Sequence, residues 1–301
     1  MFAEVIDMGI RAFRNEDAAS IAELSASCLK GEADFVLNPL WETEAELTAE
    51  FERFGIDPEK HLLVAEEGGR PRGMVGFLRR AGERQAGLLS PVVDRELRGQ
   101  GLGGDLLRAA LELGGKLGIR FCTAAIGTRN RSGYALLSGL GFQPLRQHFM
   151  MRCEERPATV DLPVEGLAIE VAKPGDADAI HELYAASGFD EVRTPDRIRE
   201  VLSDGIHFHA VARHGERVVA FTEIETHWPD RVWVAYVGVD GPLRNRGVGS
   251  AVVSWALQRQ FDGGAEAALL LLSPGNRPAV RAYQKVGFHL HRTIDVLQRP
   301  L

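Results

Sequence analysis

The chain repeats itself, and this duplication limits its fold more than any other feature. The segment Asp94–Gly103 matches Asp240–Gly249 at an offset of 146 residues, and Asn130 and Asn276 keep the same offset. Repetition over such a long period indicates two copies of one folding unit rather than two unrelated modules. The length of 301 residues fits this interpretation, because a typical domain has about 150 residues.

The two copies differ in length. Near their starts, Arg14–Leu24 matches Lys173–Leu183 at an offset of 159, which is 13 more than the offset further along the chain. The first half therefore holds about 13 extra residues, and we place them around Gly31–Glu42.

Both halves show the same predicted order of elements. A short strand comes first, followed by a helix that an aspartate is expected to cap (Asp17 and Asp176), a second helix and three strands. A glycine-rich loop, a long amphipathic helix, a buried strand, a further helix and a closing strand pair follow. This order predicts an α+β (mixed α/β) fold with helices on both faces of each sheet. The predicted domains are 1–152 and 167–301, joined by a linker at 153–166.

Composition excludes several classes of protein. The net charge of −7 argues against a nucleic-acid binder, and the longest strongly apolar run, Ala267–Leu272, is far too short to span a bilayer. The N-terminus shows no secretory signal, and the three widely spaced cysteines predict neither a zinc site nor a disulfide framework. We therefore expect a cytoplasmic monomer or homodimer that acts on a small molecule and has no membrane or nucleic-acid partner.

Each half contains a glycine-rich loop between an apolar strand and a helix. The loops consist of Arg98, Gly99, Gln100, Gly101, Leu102 and Gly103, and of Arg244, Asn245, Arg246, Gly247, Val248 and Gly249. Backbone N–H groups at a helix N-terminus attract anions, and glycine lets the chain approach a phosphate closely. A tight turn is the alternative for a single copy, but two copies at one offset favour a pyrophosphate site. A dinucleotide-binding fingerprint is disfavoured, because it belongs after the first strand of a βαβ unit and these loops follow about the fourth.

In the second half, a strand, an R-x-x-G-x-G loop, a helix and a further strand precede the segment Asn276–Phe288. This series resembles the GCN5-related N-acetyltransferase (GNAT) family. Each half carries this resemblance, so that together they cover nearly the whole chain. The resemblance implies two tandem domains with mostly antiparallel sheets. It implies transfer of an acetyl group from acetyl-CoA to a primary amine through a tetrahedral intermediate, without a metal. Outside the loops, it assigns cosubstrate binding to Val237, Gly238, Val239, Asn276 and Ala279, and in the first half to Pro91, Val92, Val93 and Asn130.

The resemblance places Tyr283 beside the thioester sulfur as the general acid that protonates the departing thiolate. An aromatic residue that simply packs on the core is the alternative. The first half has Leu137 at the matching position, and Tyr134 lies one helical turn earlier. We therefore expect the first half to bind acetyl-CoA but to be catalytically weak or silent, and the second half to carry turnover.

The general base is left open by the sequence. Glu223 and Glu225 share one face of a strand, where an exposed charged surface is the commoner outcome, and Glu223 is retained as a catalytic candidate. Trp233 occupies the strand position where the family often carries a glutamate. His207 and His209 also share a strand face, but no third ligand is spaced to make a metal site with them.

Further aromatic and histidine residues allow more than one interpretation. His289 and His291 repeat the same histidine spacing on a terminal strand, and the same objection to a metal applies. Trp228 and Trp233 either line an acceptor pocket or cover the sheet. At the level of function, the rivals are an acetyl-CoA-binding sensor or scaffold without turnover, and an acetyltransferase that modifies proteins.

Overall fold

The computed structural model describes residues 9–29, 31–79, 84–189 and 192–301. The chain divides into two compact units. The first consists of Met1–His148 together with Thr293–Leu301, and the second consists of Phe149–Arg292.

The elements follow the predicted order in both halves, except that one strand and not a strand pair closes each half, and that a short helix, Pro58–His61, follows the second helix of the first half. The strands of the first half are β1 (Gly9–Ala12), β2 (Leu62–Glu67), β3 (Arg70–Leu78), β4 (Gln85–Val93), β5 (Phe121–Gly127) and β6 (Gln143–Cys153). Its helices are α1 (Ala18–Leu29), α2 (Glu44–Phe54), α3 (Pro58–His61), α4 (Leu102–Lys116) and α5 (Arg131–Gly139). The strands of the second half are β7 (Leu167–Val171), β8 (His207–His214), β9 (Arg217–Glu225), β10 (Arg231–Val239), β11 (Ala267–Leu272) and β12 (His289–Pro300). Its helices are α6 (Ala177–Ser187), α7 (Pro195–Val201), α8 (Val248–Asp262) and α9 (Arg277–Val286).

Each unit contains one mixed sheet. The strand order is β1-β2-β3-β4-β5-β12 in the first unit and β6-β11-β10-β9-β8-β7 in the second. The neighbours pair antiparallel except for β4 with β5 and β10 with β11, which are parallel. The predicted α+β class with a mostly antiparallel sheet is confirmed.

The closing strand of each half lies in the sheet of the other half's unit. Ile294–Pro300 of β12 pairs with β5, whereas Phe149–Cys153 of β6 pairs with β11. The units therefore do not follow the predicted division into 1–152, 153–166 and 167–301, because each sheet is completed by a strand from the far end of the other copy.

The parallel strands of each unit separate after a short ladder. Gln85–Gly87 pairs with Phe121–Thr123, and Arg231–Trp233 pairs with Ala267–Leu269. Further along, a register shift interrupts the pairing of β4 with β3 and of β10 with β9. The result is an opening between two central strands that leads toward the glycine loop, and the candidate site lies there in each unit.

Local sequence explains most helix starts but not the roles of two aspartates. Thr43 caps α2 by accepting from the Glu46 N–H, as an N-cap residue is expected to do. Asp17 and Asp176 instead accept from the backbone N–H three residues before them and pair with an arginine. They join the start of the helix to the neighbouring strand, so the predicted capping role is wrong for Asp176, whose side chain accepts from none of the N–H groups of α6.

Both faces of the second sheet are covered. The face under α8 buries Val252, Leu257 and Ile224, and the face under α6 buries Tyr184 and Phe221. Burial of each such side chain contributes about 1.5–3 kcal/mol. In the described part of the chain, no helix combines the length and the hydropathy that crossing a bilayer requires.

Candidate active site

The two glycine loops have the same backbone conformation. Gly101 and Gly247 begin α4 and α8 with φ of 94° and 92°. Gly99 has a φ of 76°, and the matching residue, Asn245, is the one non-glycine residue with a positive φ in the described ranges, at 60°. Asparagine tolerates the left-handed region better than most residues. The second loop therefore keeps the conformation of the first although it lacks one glycine.

The loop arginines hold the loops to the strands before them. Arg98 Nε donates to the Val93 carbonyl at 3.0 Å, and Arg244 Nε donates to the Val239 carbonyl at 2.9 Å. Arg98 also pairs with Asp34 at 2.8 Å. Both guanidinium groups thus make bonds inside the protein, so their structural role is to fix the loop.

The other loop residues divide into anchors and exposed positions. Leu102 and Val248 are buried and anchor the helix starts, whereas Gln100 and Arg246 are exposed. A Cβ at Gly249 would lie 3.3 Å from a Val239 methyl group, so this glycine permits close approach of the helix to the strand. The Gly104 N–H donates to the Gly101 carbonyl at 2.8 Å. The N–H groups that precede it at a helix start have no acceptor within the helix, so they suit an anion.

In the first unit, the predicted residues surround a cavity of about 320 Å³. The glycine loop, β4 and the start of α5 line this cavity. The lining includes these residues that were predicted to bind the cosubstrate: Pro91, Val92, Val93, Arg98, Gly99, Gly101, Gly103 and Asn130. Leu137 also lines it, and the described lining residues include neither a tyrosine nor a histidine.

The second unit arranges the corresponding strand in the same way. Val237, Gly238 and Val239 form the end of β10, with Gly238 buried. A Cβ at Gly238 would overlap the Phe221 ring, so only glycine fits between β10 and the core. The strand segment predicted to pair with the cosubstrate is therefore fixed by packing on the α6 face.

The two motif asparagines cap helices. Asn130 accepts from the Gly133 N–H at 2.8 Å, and Asn276 accepts from the Ala279 N–H at 3.2 Å. Asn130 is buried and also donates to the Phe35 carbonyl at 3.2 Å, whereas Asn276 is exposed. The side chain of Asn276 is thus accessible to a ligand in a way that Asn130 is not.

Tyr283 lies on α9, half-buried against the core under α8. Its ring meets the Phe288 ring edge-on with centroids 5.6 Å apart. Burial raises the pKa of the Tyr283 hydroxyl, so it is protonated at neutral pH. A protonated hydroxyl is the form that can donate a proton.

Glu223 is the centre of a buried polar cluster and is fully shielded from solvent. Its Oε2 accepts from the Tyr184 hydroxyl at 2.5 Å and lies 3.1 Å from His209 Nε2. Its Oε1 lies 2.6 Å from Arg193 Nη1. Glu225 is also buried, so the expectation of an exposed charged face is wrong for both glutamates, because α6 and the connection after it cover this face.

The cluster sets the charge of Glu223. Burial alone would raise its pKa, but the His209 hydrogen bond and the Arg193 charge outweigh burial and lower the pKa to about 2. The carboxylate is therefore ionised at neutral pH. Burial lowers the pKa of His207 below its ordinary value, although Glu223 and Asp204 oppose this.

The same region brings together three potential metal ligands. His207, Glu223 and Glu225 offer ligand atoms that all lie within 4.8 Å of one another. The Arg193 guanidinium already neutralises Glu223 at 2.6 Å, and a cation bound there would face this positive charge. The geometry therefore favours an ion-pair cluster over a metal centre.

Aromatic side chains lie on both sides of the cluster. Arg193 lies over the Tyr236 ring, 5.5 Å from its centroid, and Tyr236 also contacts the Tyr184 ring. Trp228 and Trp233 have ring centroids 6.4 Å apart. Trp233 pairs with Leu269 in the parallel ladder of β10, and Tyr236 follows that ladder.

The predicted linker follows α8 along its length. Gln258 Nε2 donates to the Pro157 carbonyl, Ser254 Oγ donates to the Ala158 carbonyl, and Pro163 lies near the loop. A Cβ at Gly247 would be 3.5 Å from Pro163 Cγ. The segment predicted as a linker is thus packed onto the second unit.

Sequence reasoning missed several residues of the site. Tyr184 and Arg193 were not identified, because an aromatic helix residue and a loop arginine have no distinctive signal. His209 was considered only as a metal ligand. The one weak hint of the ion pair is that the connection before α7 carries a basic residue, Arg193, and that Glu223 lies on the second strand after it in the chain.

Comparison with known proteins places these observations in a family. The model of the acetyltransferase (GNAT) family matches residues 24–142 and 177–288. A protein of Thermobispora bispora named mycothiol acetyltransferase is 31% identical over 292 residues, covering 85% of this chain and 93% of that protein. Its namesake in Streptomyces coelicolor is 30% identical over 258 residues, covering 79% of both chains.

Solved structures show the same fold over nearly the whole chain. A GCN5-related N-acetyltransferase from Sphaerobacter thermophilus superposes with a TM-score of 0.80 at 21% identity, covering 97% of this chain and 95% of that one. A tandem GNAT protein from the clavulanic acid biosynthesis pathway gives a TM-score of 0.75 at 15% identity, with 98% of both chains covered. At these identities the likeness concerns the fold alone.

Proposed function

Because the chain belongs to the GNAT family of N-acetyltransferases, we propose that it transfers the acetyl group of acetyl-CoA to a primary amine of a small molecule. Acetyl-CoA is the cosubstrate of this family, and the resemblance inferred from the sequence is confirmed. The observation that carries the proposal is the combination, in the second unit, of a glycine loop suited to a phosphate and an opening between β10 and β11 that leads toward it.

The residues present fit the cosubstrate. The loop before α8 presents backbone N–H groups at a helix N-terminus, which suits a pyrophosphate. The end of β10, Val237–Val239, provides backbone groups for an extended amide-containing arm. Asn276 and Ala279 lie at the start of the next helix, where an exposed amide can contact the same arm.

Tyr283 is proposed as the general acid. Direct acyl transfer from a thioester to an amine passes through a tetrahedral oxyanion and expels a thiolate. The Tyr283 hydroxyl is protonated at neutral pH and supplies the proton that the thiolate needs. A strand N–H near the β10 register shift supplies hydrogen bonding to the oxyanion.

Glu223 is proposed to act on the acceptor amine. Its ionised carboxylate lies on the α6 face, and the low pKa disfavours its keeping a proton. His209 Nε2 lies 3.1 Å from the same carboxylate. Arg193 and Tyr184 hold the carboxylate in place.

The acceptor is proposed to be a small molecule. The relatives named mycothiol acetyltransferase support this class, and a mycothiol-type amine is the first acceptor to test. The half-buried aromatic rings of Tyr236, Trp228 and Trp233 suit a compact ligand with an apolar or sugar-like surface.

The test is release of CoA thiol from acetyl-CoA with a panel of amines: a mycothiol-type amine, an aminoglycoside, a polyamine, free amino acids and a peptide N-terminus. We expect turnover with at least one small amine. Tyr283→Phe should lower kcat by about 100-fold or more while leaving the KM for acetyl-CoA nearly unchanged. Tyr134→Phe, on the matching helix of the first half, is the control and should leave kcat unchanged.

Three results would contradict the proposal. Acetyl-CoA binding without turnover on any amine would make the chain a sensor or scaffold. Faster turnover on the peptide than on every small amine would make it a protein-modifying enzyme. Equal loss of kcat in both tyrosine variants would remove Tyr283 from its role.

A further inference from the structure

Residues 156–163, here called the strap, lie along α8 in the second unit. The strap begins where Arg156 pairs with Asp262 at the C-terminal end of α8. It ends at Pro163, whose Cγ would lie 3.5 Å from a Cβ at Gly247 in the glycine loop. The helix rises about 22 Å from residue 247 to residue 262, and seven steps of extended chain reach about 23 Å. The strap therefore has little slack between its two ends.

Ser254 holds the middle of the strap. The residue is 1% exposed, and its Oγ donates to the Ala158 carbonyl at 2.7 Å and accepts from the Val160 N–H at 3.2 Å. One turn further along α8, Gln258 Nε2 donates to Thr159 Oγ1 at 2.8 Å. The buried serine hydroxyl is thus engaged as donor and as acceptor by the strap backbone. Its removal would leave an N–H and a carbonyl of the strap without this partner.

The strap also binds α9. The Ala158 N–H donates to the Val286 carbonyl at 2.9 Å. Val286 is the last residue of α9, and carbonyl groups at a helix end have no partner within the helix. Ala158 therefore links α9 to Ser254 on α8. Tyr283 lies one turn before Val286 on α9, and its side chain packs against the same core cluster as that of Val160.

The helix at the matching place in the first half has a different surface. At the offset of 146, the three α8 residues that hold the strap correspond to exposed charged residues of α4, namely Arg108, Glu112 and Lys116. A Cβ at Gly101, which matches Gly247, would meet no described atom within 4 Å. The surface that holds the strap thus belongs to the copy that keeps the tyrosine, and it is not a general requirement of this fold.

We propose that the strap is a positioning element, through which Ser254 sets the place of α9, and with it Tyr283, relative to the glycine loop before α8. This inference rests on the proposed acetyl transfer with Tyr283 as general acid. Acetyl-CoA held at its pyrophosphate by the loop has its sulfur at a fixed reach, so the spacing of α8 and α9 decides whether the hydroxyl meets that sulfur. A misplacement of about 1 Å can slow a reaction about 100-fold.

Ser254→Ala removes the central anchor of the strap, and Ser250→Ala is the matched control. Ser250 is also buried, one turn earlier on α8, and it makes no hydrogen bond to the strap within the described ranges. Ser254→Ala should lower kcat about tenfold and change the KM for acetyl-CoA less than about twofold, because the loop keeps its conformation. Ser250→Ala should change neither constant.

A second pair of variants acts on the strap backbone. Ala158→Pro removes the N–H that bonds the Val286 carbonyl and should also lower kcat. Ala158→Ser keeps this N–H, and the Ala158 side chain is exposed, so Ala158→Ser should have the kcat of the wild type.

Hydrogen–deuterium exchange gives a readout that does not need turnover. Ser254→Ala should speed exchange in peptides that cover the strap and α9, whereas Ser250→Ala should not. A contact that only stabilises the fold would lower the free energy of unfolding and leave the kcat of the folded protein unchanged. The kinetic constants are therefore compared in conditions where urea unfolding shows every variant to be folded.

The outcomes separate this inference from the proposed function. A lower kcat with an unchanged KM in Ser254→Ala, together with faster exchange in the strap and α9, supports the inference. Equal kcat in Ser254→Ala and Ser250→Ala overturns it and leaves the proposed function intact, since the wild type still turns over. A raised KM with an unchanged kcat, or faster exchange in the strap alone, also overturns it. A wild-type protein that turns over no amine overturns both.

Discussion

Replacing Glu223 by glutamine should destabilise the second unit more than any exposed charge substitution. The change keeps the shape of the side chain but removes a charge that is fully shielded from solvent. Arg193, whose side chain is 11% exposed, would then lose its counter-ion at 2.6 Å. Removal of one partner from a buried ion pair costs about 3–5 kcal/mol, because the remaining charge stays buried without compensation.

The pH dependence gives an independent measure of the same interaction. The folded state lowers the pKa of Glu223 from 4.5 to about 2. A carboxyl group with a lowered pKa stabilises the fold above its unfolded pKa, and this stability is lost as the pH falls toward the folded value. The shift corresponds to about 3 kcal/mol, which the wild-type protein should lose between about pH 5 and pH 2. Glu223→Gln should not show this loss.

The assay is urea unfolding followed by tryptophan fluorescence at several pH values. Three of the four tryptophans, Trp228, Trp233 and Trp255, lie in the second unit, so the signal reports mainly on it. Glu182→Gln, an exposed glutamate on α6, is the control and should unfold within about 0.5 kcal/mol of the wild type. The reasoning is refuted if Glu223→Gln and Glu182→Gln unfold at the same urea concentration at pH 7, or if the difference between wild type and Glu223→Gln does not shrink toward pH 2.

Two further predictions concern the second glycine loop. Gly247→Ala should raise the KM for acetyl-CoA, because a φ of 92° strains any side chain at the helix start. Gly264→Ala is the control and should leave this KM unchanged, since Gly264 also has a positive φ, 109°, but lies outside the site. A similar KM in both variants would count against the loop as a cosubstrate site. Asn245→Val should lower the free energy of unfolding by about 1–2 kcal/mol, whereas Asn245→Gly should not lower it, because only the β-branched residue opposes a φ of 60°. Chemical denaturation measures both, and equal stability of the two Asn245 variants would show that the loop conformation relaxes.

Local patterns in the sequence were sufficient to predict the order of elements and both glycine loops. The hydrophobic period and the glycine positions are local properties, and Gly101 and Gly103 recur as Gly247 and Gly249 in the second copy. The location of the extra residues in the first half followed only in part, because the connection from α1 to α2 is longer than that from α6 to α7, but α2 itself is also longer than α7. The pairing of the extra residues with Ala125 and Gly127 did not follow, because a short segment without periodicity carries no information about which strand edge it will meet.

The sequence predicted which residues belong to the candidate site better than it predicted their burial and their contacts. Alternation along β9 placed Glu223 and Glu225 on one face, but it could not show that α6 covers that face. The expected exposure was wrong because burial depends on what packs above a strand, and Tyr184 and Arg193 come from distant parts of the chain. The interpretation of Asn130 was incomplete for the same reason, since its amide is bonded to the extra segment.

The exchange of closing strands constrains the order in which this protein can mature on the ribosome. The sheet of the first unit needs Ile294–Pro300, so that unit cannot complete its hydrogen bonding until the last strand of the second copy has been synthesised. The second unit needs Phe149–Cys153, which emerge early and must wait for β11. Tandem domains usually fold in chain order, the first before the second. Here the sheet of the first unit cannot be completed before the second half has been synthesised. A chain cut between the copies would leave each fragment with an unsatisfied strand edge, a known route to aggregation.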